Sequence, residues 1–117
     1  MKARLRHFAH GTTGEDLGWA LQVLCPGCNA RKGRGGLHQV GVLGPNGEPA
    51  YGQQWGWDRN LDAPTVDPSI AVSDGTGVVC HSYLRAGVWE FLDDSKHPLA
   101  GQHVPMVDLP DWLVHAA

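Results

Sequence analysis

The sequence predicts a mostly β fold, built as one small domain over residues 1–117. Its apolar residues fall in short runs, and the run over residues 3–10 alternates apolar with basic side chains, which is typical of a strand with one wet face. The 16 glycines and 8 prolines lie between these runs instead of interrupting long helical repeats. We therefore expect an antiparallel β meander, followed from residue 97 by an irregular tail with a short closing helix over residues 110–115.

Turn residues divide the rest of the chain into further strands. Asp74-Gly75-Thr76-Gly77 is a strong hairpin turn and predicts pairing between residues 69–72 and 78–84. Other strands are expected at residues 17–24, 37–43, 51–57 and 88–92. The five tryptophans are large apolar side chains that should supply much of the core of so small a domain: Trp19, Trp55, Trp57, Trp89 and Trp112.

The motif Cys25-Pro26-Gly27-Cys28 predicts a metal site, because a tight Pro-Gly turn lets both thiols point at one ion. Two thiols are half of a tetrahedral zinc shell, and Cys80 is the one other cysteine. The strands at 17–24 and 37–43 would place this motif at the tip of a hairpin. We therefore expect a zinc-ribbon-like hairpin packed on the meander, with zinc in a structural role.

A redox dithiol is the alternative interpretation of the same motif. Such motifs usually open a helix after a strand, whereas residues 29–36 look like a Gly/Arg-rich loop, which favours zinc. Three cysteines cannot all pair within one chain, and no basic-then-apolar segment begins the sequence. A reducing, cytoplasmic setting is therefore expected.

A histidine should complete the zinc shell. If strands 78–84 and 88–92 pair, Cys80 lies near Leu92 and His97 can fold back beside it, so the first choice of ligands is Cys25, Cys28, Cys80 and His97. His38, on the return strand of the ribbon, is the main rival for the fourth position. His81 points to the opposite face from Cys80, because side chains alternate along a strand, and it is free for another task.

The charge pattern limits the choice of partners. A net charge of −3 and a pI near 6.1 argue against general nucleic-acid binding, and no apolar run is long enough to span a membrane. A short basic loop contains Arg31, Lys32 and Arg34. This loop leaves open a protein-binding surface or, less favoured by the charge, a phosphate-binding one.

Several short motifs together resemble a family of small phage and prophage proteins of unknown function, often labelled "ammonia monooxygenase", a label that we discount. The resemblance covers residues 25–112 and rests on the CPGC motif, residues 57–60, 64–70 and 94–102, and Cys80-His81-Ser82-Tyr83. It implies a phage-encoded protein in the cytoplasm of a bacterial host.

The pattern is also similar to a domain of unknown function encoded beside bacterial ubiquitin-like conjugation genes. That resemblance implies a serine peptidase with Ser69 as nucleophile and His81 as base. One departure is that the related domain has its histidine after the serine of this motif, whereas His81 precedes Ser82. The change keeps the histidine on the face opposite the cysteine.

The hairpin register leaves this assignment open. A loop of two or four residues puts Ser69 on the Cys80 face, and a loop of three puts it opposite His81. Possible acids to orient the imidazole are Asp67, Asp93 and Asp94. Three hypotheses follow: a zinc-stabilised hydrolase acting on a protein or peptide, a non-enzymatic phage adaptor for a host or virion protein, and a nucleic-acid-binding zinc knuckle.

Overall fold

The computed structural model describes residues 1–33, 36–48 and 55–114, which form two antiparallel sheets and two short helices. The first sheet has the order β1-β2-β3 and the second the order β4-β5-β6-β7-β8. In chain order the elements are β1 (Ala3–Ala9), β2 (Asp16–Leu24), α1 (Pro26–Lys32), β3 (Leu37–Leu43), β4 (Gly56–Trp57), β5 (Val66–Ser73), β6 (Val78–Arg85), β7 (Val88–Phe91), β8 (His103–Pro105) and α2 (Asp111–Val114). The mostly β fold class is confirmed, and residues 51–54 of the expected aromatic strand lie outside the described part.

One apolar core joins the two sheets. Leu21 and Val23 of β2 and Leu84 and Trp89 of the second sheet are all fully buried in the same cluster. Burial of such side chains stabilises the fold by about 1.5–3 kcal/mol each. The predicted tryptophan core is only partly correct, because Trp112 is 70% exposed while Trp19, Trp55 and Trp57 pack at the margin of the cluster.

The segment after Cys25 is a helix, so the predicted loop over residues 29–36 is wrong at its start. Cys25 caps α1 with its sulfur, which accepts a hydrogen bond from the Cys28 amide, and Pro26 occupies the first turn, where its missing N–H is harmless. Gly33 ends the helix in the left-handed conformation (φ 70°). The predicted loop therefore no longer argues against a redox dithiol. The burial of the thiols does argue against it, because Cys25 and Cys28 are 0% and 8% exposed, whereas redox thiols are accessible.

The tail contains one strand that the sequence did not predict. β8 pairs with β7 at the edge of the second sheet, where Pro105 is tolerated because an edge strand need not donate on its outer side. The short closing helix is present as α2. Within the described ranges no helix has the length and apolar character needed to cross a membrane.

Candidate active site and metal centre

The fold brings the three cysteines together in its interior. The sulfurs of Cys25 and Cys80 lie 3.8 Å apart, close to the edge of about 3.8 Å expected for a tetrahedron with Zn–S bonds of about 2.3 Å. The ligand atoms of Cys25, Cys28 and His38 all lie within 4.8 Å of one another. All three thiols are free and buried. Cys25, Cys28 and His38 lie close enough to bind a metal ion.

Two histidines reach the cluster from different sides. The Nε2 atom of His38 lies 3.3 Å from the sulfur of Cys28, and the Nε2 atom of His97 lies 3.3 Å from that of Cys80. The Nδ1 atom of His97 accepts a hydrogen bond from the Leu99 amide at 3.2 Å. A neutral imidazole has one N–H, so this contact assigns the proton of His97 to Nε2, where it donates to the sulfur.

The ring of His97 also explains the glycine of the CPGC motif. A Cβ at Gly27 would collide with all three of the nearest ring atoms of His97. The ring packs edge-on against Phe91, with centroids 4.7 Å apart. The motif therefore has a small residue at position 27 to admit the histidine that contacts Cys80.

The thiols strongly perturb one another's ionisation. Hydrogen bonds from Cys28 and Cys80 lower the pKa of Cys25, whereas the same contact with Cys25 raises the pKa of Cys80. Burial opposes protonation of His38, but its contacts with Cys25 and Cys28 outweigh burial and raise its pKa to about 9. A thiolate at Cys25 beside two further thiols and an imidazole is a ligand set suited to a divalent cation, whose binding would displace the remaining protons.

A cavity of about 90 Å³ lies beside this cluster, between α1 and the β5-β6 hairpin. Its lining includes Cys28 and His38, so it offers an entry path for an ion. Arg31 at its wall pairs with Asp74 at 2.9 Å, which ties α1 to the hairpin turn. This cation of the predicted basic loop is therefore already engaged, and Arg34 lies outside the described residues.

A second polar cluster lies on the other face of the sheet. The Nε2 atom of His81 is 2.9 Å from the hydroxyl oxygen of Ser69, and its Nδ1 atom is 3.1 Å from a carboxylate oxygen of Asp94. A serine, an imidazole and an acid in this order are the parts of a nucleophile, a base and an orienting group. Of the three acids that the sequence left open, Asp94 is the one that contacts His81.

Register explains how Ser69 and His81 meet. The loop between β5 and β6 has four residues, which by itself would place Ser69 on the Cys80 face, but a β-bulge makes Val79 an extra residue. Beyond the bulge Ala71 lies opposite His81. Ser69 lies two residues before Ala71, within a second irregularity between Val66 and Ile70, and its hydroxyl reaches the same imidazole. The sequence gives no clear signal for this bulge.

Ser95 is a site residue that sequence reasoning missed. Its hydroxyl accepts a hydrogen bond from the His81 amide and donates one to the His81 carbonyl, each at 3.0 Å, and its side chain is 7% exposed. Neighbouring Asp94 contacts the imidazole of the same residue. One turn after β7 thus fixes both the backbone and the ring of His81.

The two clusters share the same segments of chain. Cys80 and His81 are neighbours on β6 with opposite facings, and Cys80 is buried while His81 is half-buried. Asp94 and His97 both belong to the segment that follows β7, and each contacts one member of that pair. The metal cluster therefore lies where it can fix the position of the serine–histidine pair.

Comparison with known proteins gives one match. The model of a family described as "Bacterial ubiquitination-like system serine protease (BubE)" matches residues 2–92. No curated protein and no solved structure matches the chain significantly. The matched region contains Ser69 and His81 and the three cysteines and ends just before Asp94.

Proposed function

Because the chain belongs to the BubE family of bacterial ubiquitination-like system serine proteases, we propose that it is a serine peptidase that uses Ser69, His81 and Asp94. The observation that supports this proposal most is the 2.9 Å contact between the hydroxyl of Ser69 and Nε2 of His81. A base at this distance can accept the hydroxyl proton as the oxygen attacks a carbonyl. The substrate is a protein or peptide of a ubiquitin-like conjugation system.

The proposed reaction has two steps. The oxygen of Ser69 forms a bond to the carbonyl carbon while Nε2 of His81 takes the proton, and the imidazolium then gives that proton to the leaving group as the scissile bond breaks. Water next attacks the acyl-enzyme with His81 again as base, which releases the acid and restores Ser69. Asp94 accepts from the Nδ1–H of His81 throughout and holds the ring in the required tautomer.

We assign zinc a structural role in this peptidase, held by Cys25, Cys28, Cys80 and His38. Four protein ligands leave no open position, and an ion so bound supplies a cross-link rather than chemistry on the substrate. The ligands come from the start of α1, from β3 and from β6, so the ion would connect both sheets. His97 would donate to the Cys80 thiolate, an outer-shell role, instead of binding the ion as first predicted.

The roles of His38 and His97 can be distinguished by how much alanine substitution of each weakens zinc binding. His38→Ala is expected to weaken zinc binding by more than about 100-fold, because it removes a ligand, whereas His97→Ala should weaken it by roughly 10–100-fold. His97→Gln, which retains an N–H donor, is the control. Competition with a chromophoric zinc chelator measures all three, and a larger loss for His97→Ala than for His38→Ala would restore His97 as the fourth ligand.

Ser95 is expected to act as a positioning residue. Ser95→Ala leaves the half-buried amide of His81 without its partner, at a cost of about 1 kcal/mol, and should lower kcat roughly tenfold while KM stays unchanged. Ser82→Ala is a matched control, because the Ser82 hydroxyl is buried next to His81 and has no hydrogen-bond partner among the described residues. Equal kinetics for the two variants would show that Ser95 has no such role.

The peptidase proposal is tested with a mixture of synthetic unstructured peptides. Zinc-loaded protein is incubated with the mixture, and mass spectrometry identifies the products. We expect cleavage by the natural sequence and none by Ser69→Ala, which is nearly isosteric and should keep its zinc. Cleavage that persists in Ser69→Ala would remove the assignment of Ser69, and an absence of cleavage by either protein would favour the adaptor hypothesis.

A further inference from the structure

β5 carries Ser69, and among residues 1–33, 36–48 and 55–114 one of its edges is only partly covered. On the side away from β6, β4 pairs with it at Val66 and Asp67. The indole of Trp55 then donates to the Ser69 carbonyl at 3.1 Å. Past this point the edge runs on through Ala71, whose side chain is exposed.

The direction of the backbone groups on β6 follows from their partners. The carbonyls of Val79 and His81 accept hydrogen bonds from the chain that follows β7, so both residues direct their main-chain groups away from β5. Because this direction alternates along an antiparallel strand, Cys80 and Ser82 direct theirs toward β5.

The directions of Cys80 and Ser82 determine the direction of the main-chain N–H and C=O groups on β5. Cys80 and Ser82 lie opposite Val72 and Ile70, which must be the hydrogen-bonded pairs of this ladder. Ala71 lies between them and therefore directs its N–H and C=O outward. Within residues 1–33, 36–48 and 55–114, β4 pairs with β5 only at Val66 and Asp67, and no turn or loop hydrogen bond reaches either group.

We propose that the substrate of this peptidase binds as an extended segment that adds to the edge of β5 and pairs with the N–H and C=O of Ala71; this rests on the proposed function of Ser69. A strand added to a sheet edge gains affinity from main-chain hydrogen bonds, which any extended peptide can make. Ala71 is two residues from Ser69, about 7 Å along a strand. In an antiparallel arrangement, the substrate residue that pairs with Ala71 therefore lies about two residues before the scissile bond, on its acyl side, when that bond reaches the Ser69 hydroxyl.

The position of Ala71 makes a clean substitution available. Proline removes the outward N–H but no ladder bond, and edge strands accept proline where the N–H faces solvent. Ala71→Val keeps the N–H, adds no hydroxyl opposite His81, and is the control. For both variants the readouts are zinc content, the rate at which a small fluorophosphonate labels Ser69, and kcat/KM for the best-cleaved peptide of the mixture.

Ala71→Pro is expected to lower kcat/KM for the peptide at least tenfold, mainly through KM, with zinc content and labelling rate unchanged. Equal peptide kinetics in Ala71→Pro and Ala71→Val would overturn the edge proposal and leave the peptidase proposal intact. A natural sequence that neither labels nor cleaves would instead overturn the peptidase.

A scan of the peptide does not depend on the folding of any variant. Methylating one backbone nitrogen of the peptide at a time should reduce cleavage most at one acyl-side position, because that N–H can no longer pair with the Ala71 carbonyl. An even response along the acyl side would contradict pairing with β5.

Discussion

His81→Ala is expected to lower peptide turnover by roughly four orders of magnitude, because the Ser69 hydroxyl then has no base to accept its proton. The variant should keep one zinc per chain, since His81 points away from the cysteine cluster. Single-turnover cleavage of a peptide and elemental analysis of the same sample give both quantities. Zinc loss from His81→Ala would instead move this histidine into the metal shell.

Asp94→Ala is expected to lower peptide turnover much less than His81→Ala does. The carboxylate is 60% exposed, and an exposed pair with an imidazole contributes no more than about 1 kcal/mol, so we expect a loss of roughly fivefold. A loss as large as that of His81→Ala would mean that Asp94 does more than orient the ring. Unchanged turnover would mean that Asp94 is not needed to orient the imidazole and that the contacts of Ser95 with the main chain of His81 are sufficient.

Cys80→Ser is expected to abolish zinc binding and cooperative folding together. Zinc binding in structural sites contributes about 10–16 kcal/mol, which is comparable with the total stability of about 5–15 kcal/mol typical of a domain. The serine is nearly isosteric, so the change removes the thiolate without opening a cavity. Thermal unfolding followed by circular dichroism, with and without a chelator on the natural sequence, measures the effect.

The natural sequence stripped of zinc should resemble Cys80→Ser in the presence of zinc. Cooperative unfolding at an unchanged temperature in either sample would show that the two sheets hold together without the ion. Val79→Ala is a suitable control for general core damage, since Val79 is buried beside Cys80 but is not a ligand.

The sequence predicted the elements that carry the site better than their register. Alternation along β6 correctly separated Cys80 from His81, because the period of two in a strand is a local property. The facing of Ser69 was not predictable, since it depends on the bulge at Val79 and on a second irregularity between Val66 and Ile70. The effect of such irregularities appears only when two strands pair. The helix at Pro26 was missed although proline and a capping side chain were both present in the motif.

The contacts of the turn after β7 were beyond sequence reasoning for a different reason. Asp93 and Asp94 are adjacent acids, and only the path of the chain decides which one reaches His81. Ser95 has no motif, because its role is to satisfy backbone groups of a residue fourteen positions away. Likewise both His38 and His97 reach a cysteine, and the Leu99 amide that distinguishes them is a tertiary detail.

Reaction with a fluorophosphonate probe tests the serine peptidase proposal most directly, because it requires a serine activated by a base and no knowledge of the substrate. Zinc-loaded protein is treated with the probe, and peptide mapping by mass spectrometry locates the adduct. We expect one adduct, on Ser69, that His81→Ala does not form. A folded, zinc-loaded protein that forms no adduct, or forms one on another residue, would contradict the proposed nucleophile.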